Sequence, residues 1–233
     1  MEVVQYGKQQ IEFELIRCAR RTMEIAVLPD SSVVVKAPNA TELAEIQKRV
    51  KKRARWIVQQ INWFKQFSPV TPPRRFVGGE THLYLGRQYR LKLFEGDADQ
   101  VKLIRGFFEV TSDKALTSTS VQAMLNNWYR AKAEQKYHER LEVCWPAFDR
   151  LNLPKPNLSI RSMKTRWGSL SKGGTLTLNI SLIRAPVECI DYVITHELCH
   201  LVHHDHSPRF YQLLEKVMPE WERRKHRLEL ALI

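Results

Sequence analysis

The chain has 233 residues, 43% of them hydrophobic, so it can bury one generous core or two small ones and is not disordered throughout. Four cysteines, Cys18, Cys144, Cys189 and Cys199, lie far apart without a CxxC pair; they suggest neither a disulfide framework nor a cysteine-based zinc ribbon and fit a reducing, cytoplasmic compartment. Thirty-seven Lys and Arg against 25 Asp and Glu give a net charge of +12, which attracts phosphate-bearing ligands, nucleic acid or an anionic surface without choosing among them.

The opening residues, "MEVVQYGKQQIEFELIRC", show no charged leader followed by an apolar stretch. No run approaches the ~20 apolar residues that span a bilayer, so no membrane partner is expected. Strand-like alternation follows in "IEFELIRC" (11–18), "TMEIAVL" (22–28) and "SVVVKAP" (32–38), with "PDS" as a turn, and predicts a small antiparallel sheet. Thr41 then precedes a long basic helical pattern with Leu43, Ile46, Val50, Ile57 and Ile61 on its apolar face, ended by "SPVTPP".

Residues 76–112 return to strand-like runs, "THLYLGRQYRLKLFE" and "FFEVTS", punctuated by "VGGE" and "EGDAD". From about Ser118 to Leu151 the pattern is helical, with Met124, Leu125, Trp128, Leu141 and Val143 as core candidates. The shift near residue 113 marks the expected boundary between a β-rich N-terminal region, 1–113, and a C-terminal domain, 114–233. Residues 157–186 read as two or more strands with a turn at Gly173 and Gly174. "VECIDYVITHELCHLVHH" then places Ile190, Val193, Ile194, Leu198, Leu201 and Val202 on one helical face. The fold class is α+β.

Five of the chain's eight histidines fall between positions 196 and 206. His196, Glu197 and His200 form HExxH, in which two imidazoles one helical turn apart project from one face and can share an ion. A catalytic zinc usually takes a third protein ligand. On a straight helix His203 and His204 lie about 10–12 Å along the axis from His196 at ~1.5 Å per residue, too far for zinc bonds of about 2.0–2.1 Å. They read as a polar helix end. Ser207 and Pro208 are suited to start a new helix, so the chain must turn just before them, and His206 in that turn is the preferred third ligand. Glu215 and Glu220 are the alternatives. Glu197, beside a ligand but itself unligated, is placed to act as general base toward water acidified by the metal.

"RSMKTRWGS", "LTLN", "DYVITHELCHLVHHDHSPRFY" and "VMPEW", occurring in order over about residues 160–221, together resemble the YgjP-like metallopeptidase family, related to zincin-type proteins. The resemblance implies a zincin-like C-terminal half with an active-site helix beneath a mixed sheet, His196, His200 and His206 as ligands of one zinc ion per chain, and Glu197 as the catalytic glutamate. The HExxHxxxxxH spacing is also that of metzincins, but His203 stands where they keep a glycine.

Arg161, Lys164 and Arg166 form a cationic stretch before Gly168, and Arg166 is a candidate to stabilise an oxyanion or bind phosphate. Asn179, Tyr192 and Tyr211 read as a capping amide and half-buried phenols, Cys199 as a small core residue and Met218 as helix packing. The basic run "KRVKKRARW" (48–56), six cations in nine residues with Trp56, Trp63 and Phe64 close by, reads first as solvated helix surface and second as a weak nucleic-acid contact. "RRKHR" (223–227) adds a second cluster.

The expected function is a zinc-dependent peptidase acting on a peptide or protein. The alternatives are a metal-dependent phosphoanhydride hydrolase, such as a nucleoside triphosphate pyrophosphatase acting on a phosphorylated small molecule, and a nucleic-acid-associated protein with a zinc site.

Overall fold

The structure is a computed structural model that describes residues 1–7, 9–20, 22–28, 31–65, 74–149, 151, 153–163 and 166–231. The turn expected at Pro29 and Asp30, the helix stop expected over 68–73, and Lys164 lie outside the described residues. The chain divides into two compact units after residue 72.

In the first unit β1 (Glu2–Tyr6), β2 (Gln9–Cys18), β3 (Glu24–Val27) and β4 (Val33–Pro38) form one sheet in the order β1-β2-β4-β3. β2 and β4 run parallel, so the sheet is mixed rather than purely antiparallel. Alternation places Ile11 and Phe13 of β2 inward with Val33, Val35 and Ala37 of β4, and helices α1 (Leu43–Lys52) and α2 (Ala54–Lys65) close that core with Ile46, Val50, Ala54 and Ile57. The single long helix expected here is two, separated at Arg53, whose backbone (φ −97°, ψ 3°) leaves the regular helical range. The first begins after Glu42, not Thr41, without a side-chain cap, and Leu43 at its exposed start is 36% accessible instead of buried.

In the second unit β5 (Thr81–Tyr84), β6 (Arg87–Glu95), β7 (Gln100–Ile104) and β8 (Phe107–Ser112) pair in the order β5-β6-β8-β7. Leu91, Phe108 and Val110 of this sheet share one hydrophobic core with helix α3 (Ser118–Cys144) and with the segments that follow. The division therefore falls before these strands and not near residue 113. Thr117 caps α3 by accepting from the Ser120 amide at 3.2 Å. Its buried stripe is Val121, Leu125, Tyr129, Ala133, Tyr137 and Leu141, one every fourth residue. That spacing leaves Val143 57% exposed, against expectation, and the helix ends at Cys144 before a short turn, α4 (Pro146–Asp149).

A second sheet in this unit has the order β10-β11-β9, from β9 (Asn157–Arg161), β10 (Gly168–Leu170) and β11 (Thr175–Asn179), with β9 parallel and β10 antiparallel to β11. The β10–β11 turn falls at Gly173 and Gly174 as expected, closed by the Gly174 amide donating to the Ser171 carbonyl. A 3₁₀ turn (Ile180–Arg184) leads into α5 (Val187–Cys199), followed by α6 (Pro208–Val217) and α7 (Trp221–Ala231). Among the described residues no helix is long and apolar enough to cross a membrane.

Two contacts fix α5. The β5–β6 turn, with Leu85 at φ 48° and Gly86 at φ 79°, donates its amides to the Ile183 and Arg184 carbonyls, and a Cβ on Gly86 would meet Pro186 Cγ at 2.7 Å. A side chain there would push away the residue that starts α5. Further along, Asp191 accepts a two-pronged contact from Arg140 of α3 (2.7 and 2.9 Å) while only 9% exposed, locking the rotation of α5.

Candidate metal centre

Helix α5 is buried over nearly its whole length, Cys189 to Cys199 apart from His196, and stops at His200, whose backbone (φ −69°, ψ −11°) forms its C-cap. The stop comes before His203 and His204, not just after them as a polar helix end would place it. Their segment leaves the helix altogether, with the Val202 and His203 amides both donating to the Cys199 carbonyl. Ser207 and Pro208 start α6 as expected, although the Ser207 hydroxyl makes no capping bond. The early stop gives residues 201–207 room to return, and His206 comes back to His196 with their Nε2 atoms 3.0 Å apart.

The structure thus brings His196, His200 and His206 together, with one ligand atom from each within 4.8 Å of the others. Two nitrogens bound to one ion at about 2.0–2.1 Å can be no more than ~4 Å apart, which the His196–His206 pair meets. His200 points Nδ1 at the His203 carbonyl, 2.9 Å away, so Nδ1 carries the proton and Nε2 is left as a donor. The buried Nδ1 of His196 has no hydrogen-bond partner among the described residues. Burial, reinforced by the neighbouring imidazoles, pushes His196 down to about 4 and His206 in the same direction, so both rings are neutral near pH 7. Three imidazoles with converging ring nitrogens form a donor set that fits a divalent transition metal.

Phe210, in the first turn of α6, is fully buried against all three rings, its centroid 4.9 Å from His196, 4.7 Å from His200 and 4.8 Å from His206. Sequence reasoning passed over this residue. An aromatic four positions after His206 on a new helix was its only signal.

Glu197 is 8% exposed and lies outside the imidazole cluster. Burial raises its carboxyl to about 7, against the opposing effects of the Arg166 charge and the Leu170 amide. A carboxyl of that strength can both take up and release a proton at neutral pH. Arg166 is therefore close enough to act on Glu197 electrostatically, while its own side chain is exposed.

The loop that carries Arg166 is held by Asn179. Its amide nitrogen donates to the Met163 and Arg166 carbonyls (2.8 and 3.0 Å), and its oxygen accepts from the Ser181 amide (3.1 Å). Asn179 is thus the capping amide the sequence suggested and a clamp on this loop as well.

Gly168 is the second residue overlooked. A Cβ there would sit 2.8 Å from Glu197 Cγ, 2.9 Å from its Oε1 and 2.9 Å from Val193 Cγ1, so β10 can approach α5 only through a glycine. Gly168→Ala is expected to displace the Glu197 side chain and cut turnover by about 100-fold, the order of loss for a catalytic group misplaced by ~1 Å, with metal content unchanged. Steady-state kinetics beside metal analysis checks this, and a fully active variant would contradict it.

The remaining candidates have ordinary partners. The Glu215 carboxylate accepts from Trp221 Nε1 at 2.7 Å, and exposed Glu220 pairs with Arg223 at 2.9 Å, so neither joins the histidines. Cys199 is fully buried, its thiol pushed up to about 12 by burial, and Met218 packs in the core. Tyr192 is buried with its ring 5.8 Å from that of His196, whereas Tyr211 is 40% exposed and lies 6.3 Å from His206, ring to ring. His204 is exposed and His203 contributes its carbonyl.

Three imidazoles converging at the end of a mostly buried helix, with a carboxylate beside them, form an arrangement able to hold a metal ion, as a metal-dependent enzyme requires. The YgjP-like metallopeptidase domain model matches residues 21–231. The chain belongs to the YgjP-like metallopeptidase family and is a metal-dependent peptidase. Among solved structures it is similar to the metallopeptidase zymogen abylysin of Pyrococcus abyssi, at 30% identity over 39% of this chain and 87% of that one, with a TM-score of 0.35. It is also similar to the metallopeptidase zymogen jannalysin of Methanocaldococcus jannaschii, at 24% identity over 42% and 91% of the two chains, with a TM-score of 0.37. Among curated proteins none matches.

Proposed function

We propose that this chain is a zinc peptidase in which His196, His200 and His206 hold one zinc ion and Glu197 is the general base. The observation that carries this reading is the convergence of three imidazoles, two from the end of α5 and one from the returning loop, beside a buried carboxylate on the intervening residue. When bound, zinc supplies Lewis acidity and lowers the pKa of water toward ~7. Glu197 takes the proton of the attacking water and delivers it to the leaving amine, so one carboxyl serves as base and then acid. Arg166 faces this carboxyl from the loop before β10 and offers its positive charge to the developing oxyanion. The substrate is a peptide or protein. The four cysteines are all free, which supports a cytoplasmic location.

The test is metal content by mass spectrometry on tag-free wild type, His200→Ala and His206→Ala. The expected result is about one zinc in the wild type and loss in both variants, as a three-ligand site requires. Full zinc in His206→Ala would remove that residue from the set. Peptides and nucleoside triphosphates are then screened side by side, and turnover of nucleotides alone would overturn the peptidase reading.

A further inference from the structure

The N-terminal unit holds an open cleft of about 550 Å³ lined by Met23, Ile25, Arg49, Lys52, Arg53 and Trp56. Ile25 belongs to β3, which among the described strands pairs with β4 alone and so forms an edge, and the other wall is the junction of α1 and α2. Positions 49, 52, 53 and 56 are spaced by three, four and seven from the first. Although the helix breaks at Arg53, all four line the cleft.

A basic helix end is ordinary in itself. Arg49, Lys51 and Lys52 sit in the last turn of α1, where cations favour the exposed carbonyls, and Arg49 is paired with Glu45 at 2.8 Å. Two further features point outward to a ligand. Lys52 and Arg53 have no acidic partner among the described residues, in a unit whose residues 1–72 carry 12 Lys and Arg against seven Asp and Glu. Beside them Trp56 keeps 38% of its surface accessible, although the same helix buries Ala54 and Ile57 completely.

Unpaired cations flanking an accessible indole, with the apolar side chains of Met23 and Ile25 across the cleft, match what a single-stranded nucleic acid offers: phosphates for the cations and an open base face for stacking. An acidic peptide would answer the charges and leave the indole unused. A duplex would do the same, because its base faces are already stacked inside the helix. We propose that this cleft binds a short stretch of single-stranded nucleic acid, with phosphates on Arg49, Lys52 and Arg53 and a base on Trp56.

The experiment is fluorescence anisotropy of a labelled oligothymidylate of about twelve nucleotides, titrated with the full-length protein from about 50 mM salt upward. Three phosphate contacts predict a slope of log affinity against log salt of about −2. Trp56→Ala is expected to weaken binding about five- to a hundredfold at every salt concentration while leaving that slope unchanged. Lys52→Gln with Arg53→Gln is expected to flatten the slope to about −0.7. Binding persists when metal is chelated, since none of the lining residues belongs to the histidine cluster. No binding at low salt, full affinity in Trp56→Ala, equal competition by polyglutamate, equal affinity for a duplex, or loss on chelation would each overturn the proposal.

Discussion

Glu197→Gln is expected to retain its metal and to lose peptide hydrolysis by about 10²–10⁴-fold, the contribution of a positioned acid or base. The substitution preserves the shape of the side chain and removes only its ability to carry a proton. Metal should stay because the convergent donors are the three imidazoles, with Glu197 outside their cluster. Turnover should go because the downstream glutamates are engaged elsewhere: Glu215 is held by Trp221 and Glu220 by its arginines. At ~1.36 kcal/mol per decade the expected loss corresponds to about 3–5 kcal/mol of barrier. The measurement is kcat on a quenched peptide that the wild type cleaves, beside zinc analysis of the same preparation. If the amide variant lost its metal, Glu197 would be a ligand. If it kept its activity, the proton would travel by another group, and the assigned mechanism would fail.

The difference between what the sequence disclosed at this site and what it concealed is one of range. HExxH could be read because both imidazoles lie on one helix, where spacing alone fixes their geometry. His206 followed from turn chemistry, since Ser207 and Pro208 mark where α6 must begin. Gly168 and Phe210 could not be found that way, because their roles consist of contacts with residues 29 and 4 to 14 positions distant that only the packed fold creates. The same limit governed the fold. Local patterns marked strands and helices at nearly the right places, yet the β5–β8 sheet looked N-terminal by composition while its Leu91, Phe108 and Val110 join the core of α3 and α5. Val143 was misjudged because the 3.6-residue period tolerates several stripes and the partner surface decides which one is buried.

The role assigned to Phe210 makes the other large prediction. A single ring touches all three imidazoles at nearly equal distance, so it sets their mutual orientation by packing, where the one hydrogen bond from a ring to the backbone is that of His200 to the His203 carbonyl. Phe210→Ala removes a fully buried aromatic from the core and is expected to destabilise the protein by about 3–5 kcal/mol, measured by urea denaturation of the metal-free form. That loss alone would not separate a packing role from one in shaping the site. Phe210→Leu does separate them: it keeps an apolar side chain at the position and most of the fold, but gives up the flat surface against which the three rings lie. Zinc affinity, read by competition with a chelator, should then fall about tenfold or more, as it does when groups that orient metal ligands are lost. A stably folded Phe210→Leu protein with wild-type zinc affinity would mean that the loop and the His203 carbonyl suffice to hold the histidines. Weakened affinity in a folded protein would place the orientation of the metal site in the hydrophobic core of α6, four residues beyond the last histidine of the motif that the sequence displays.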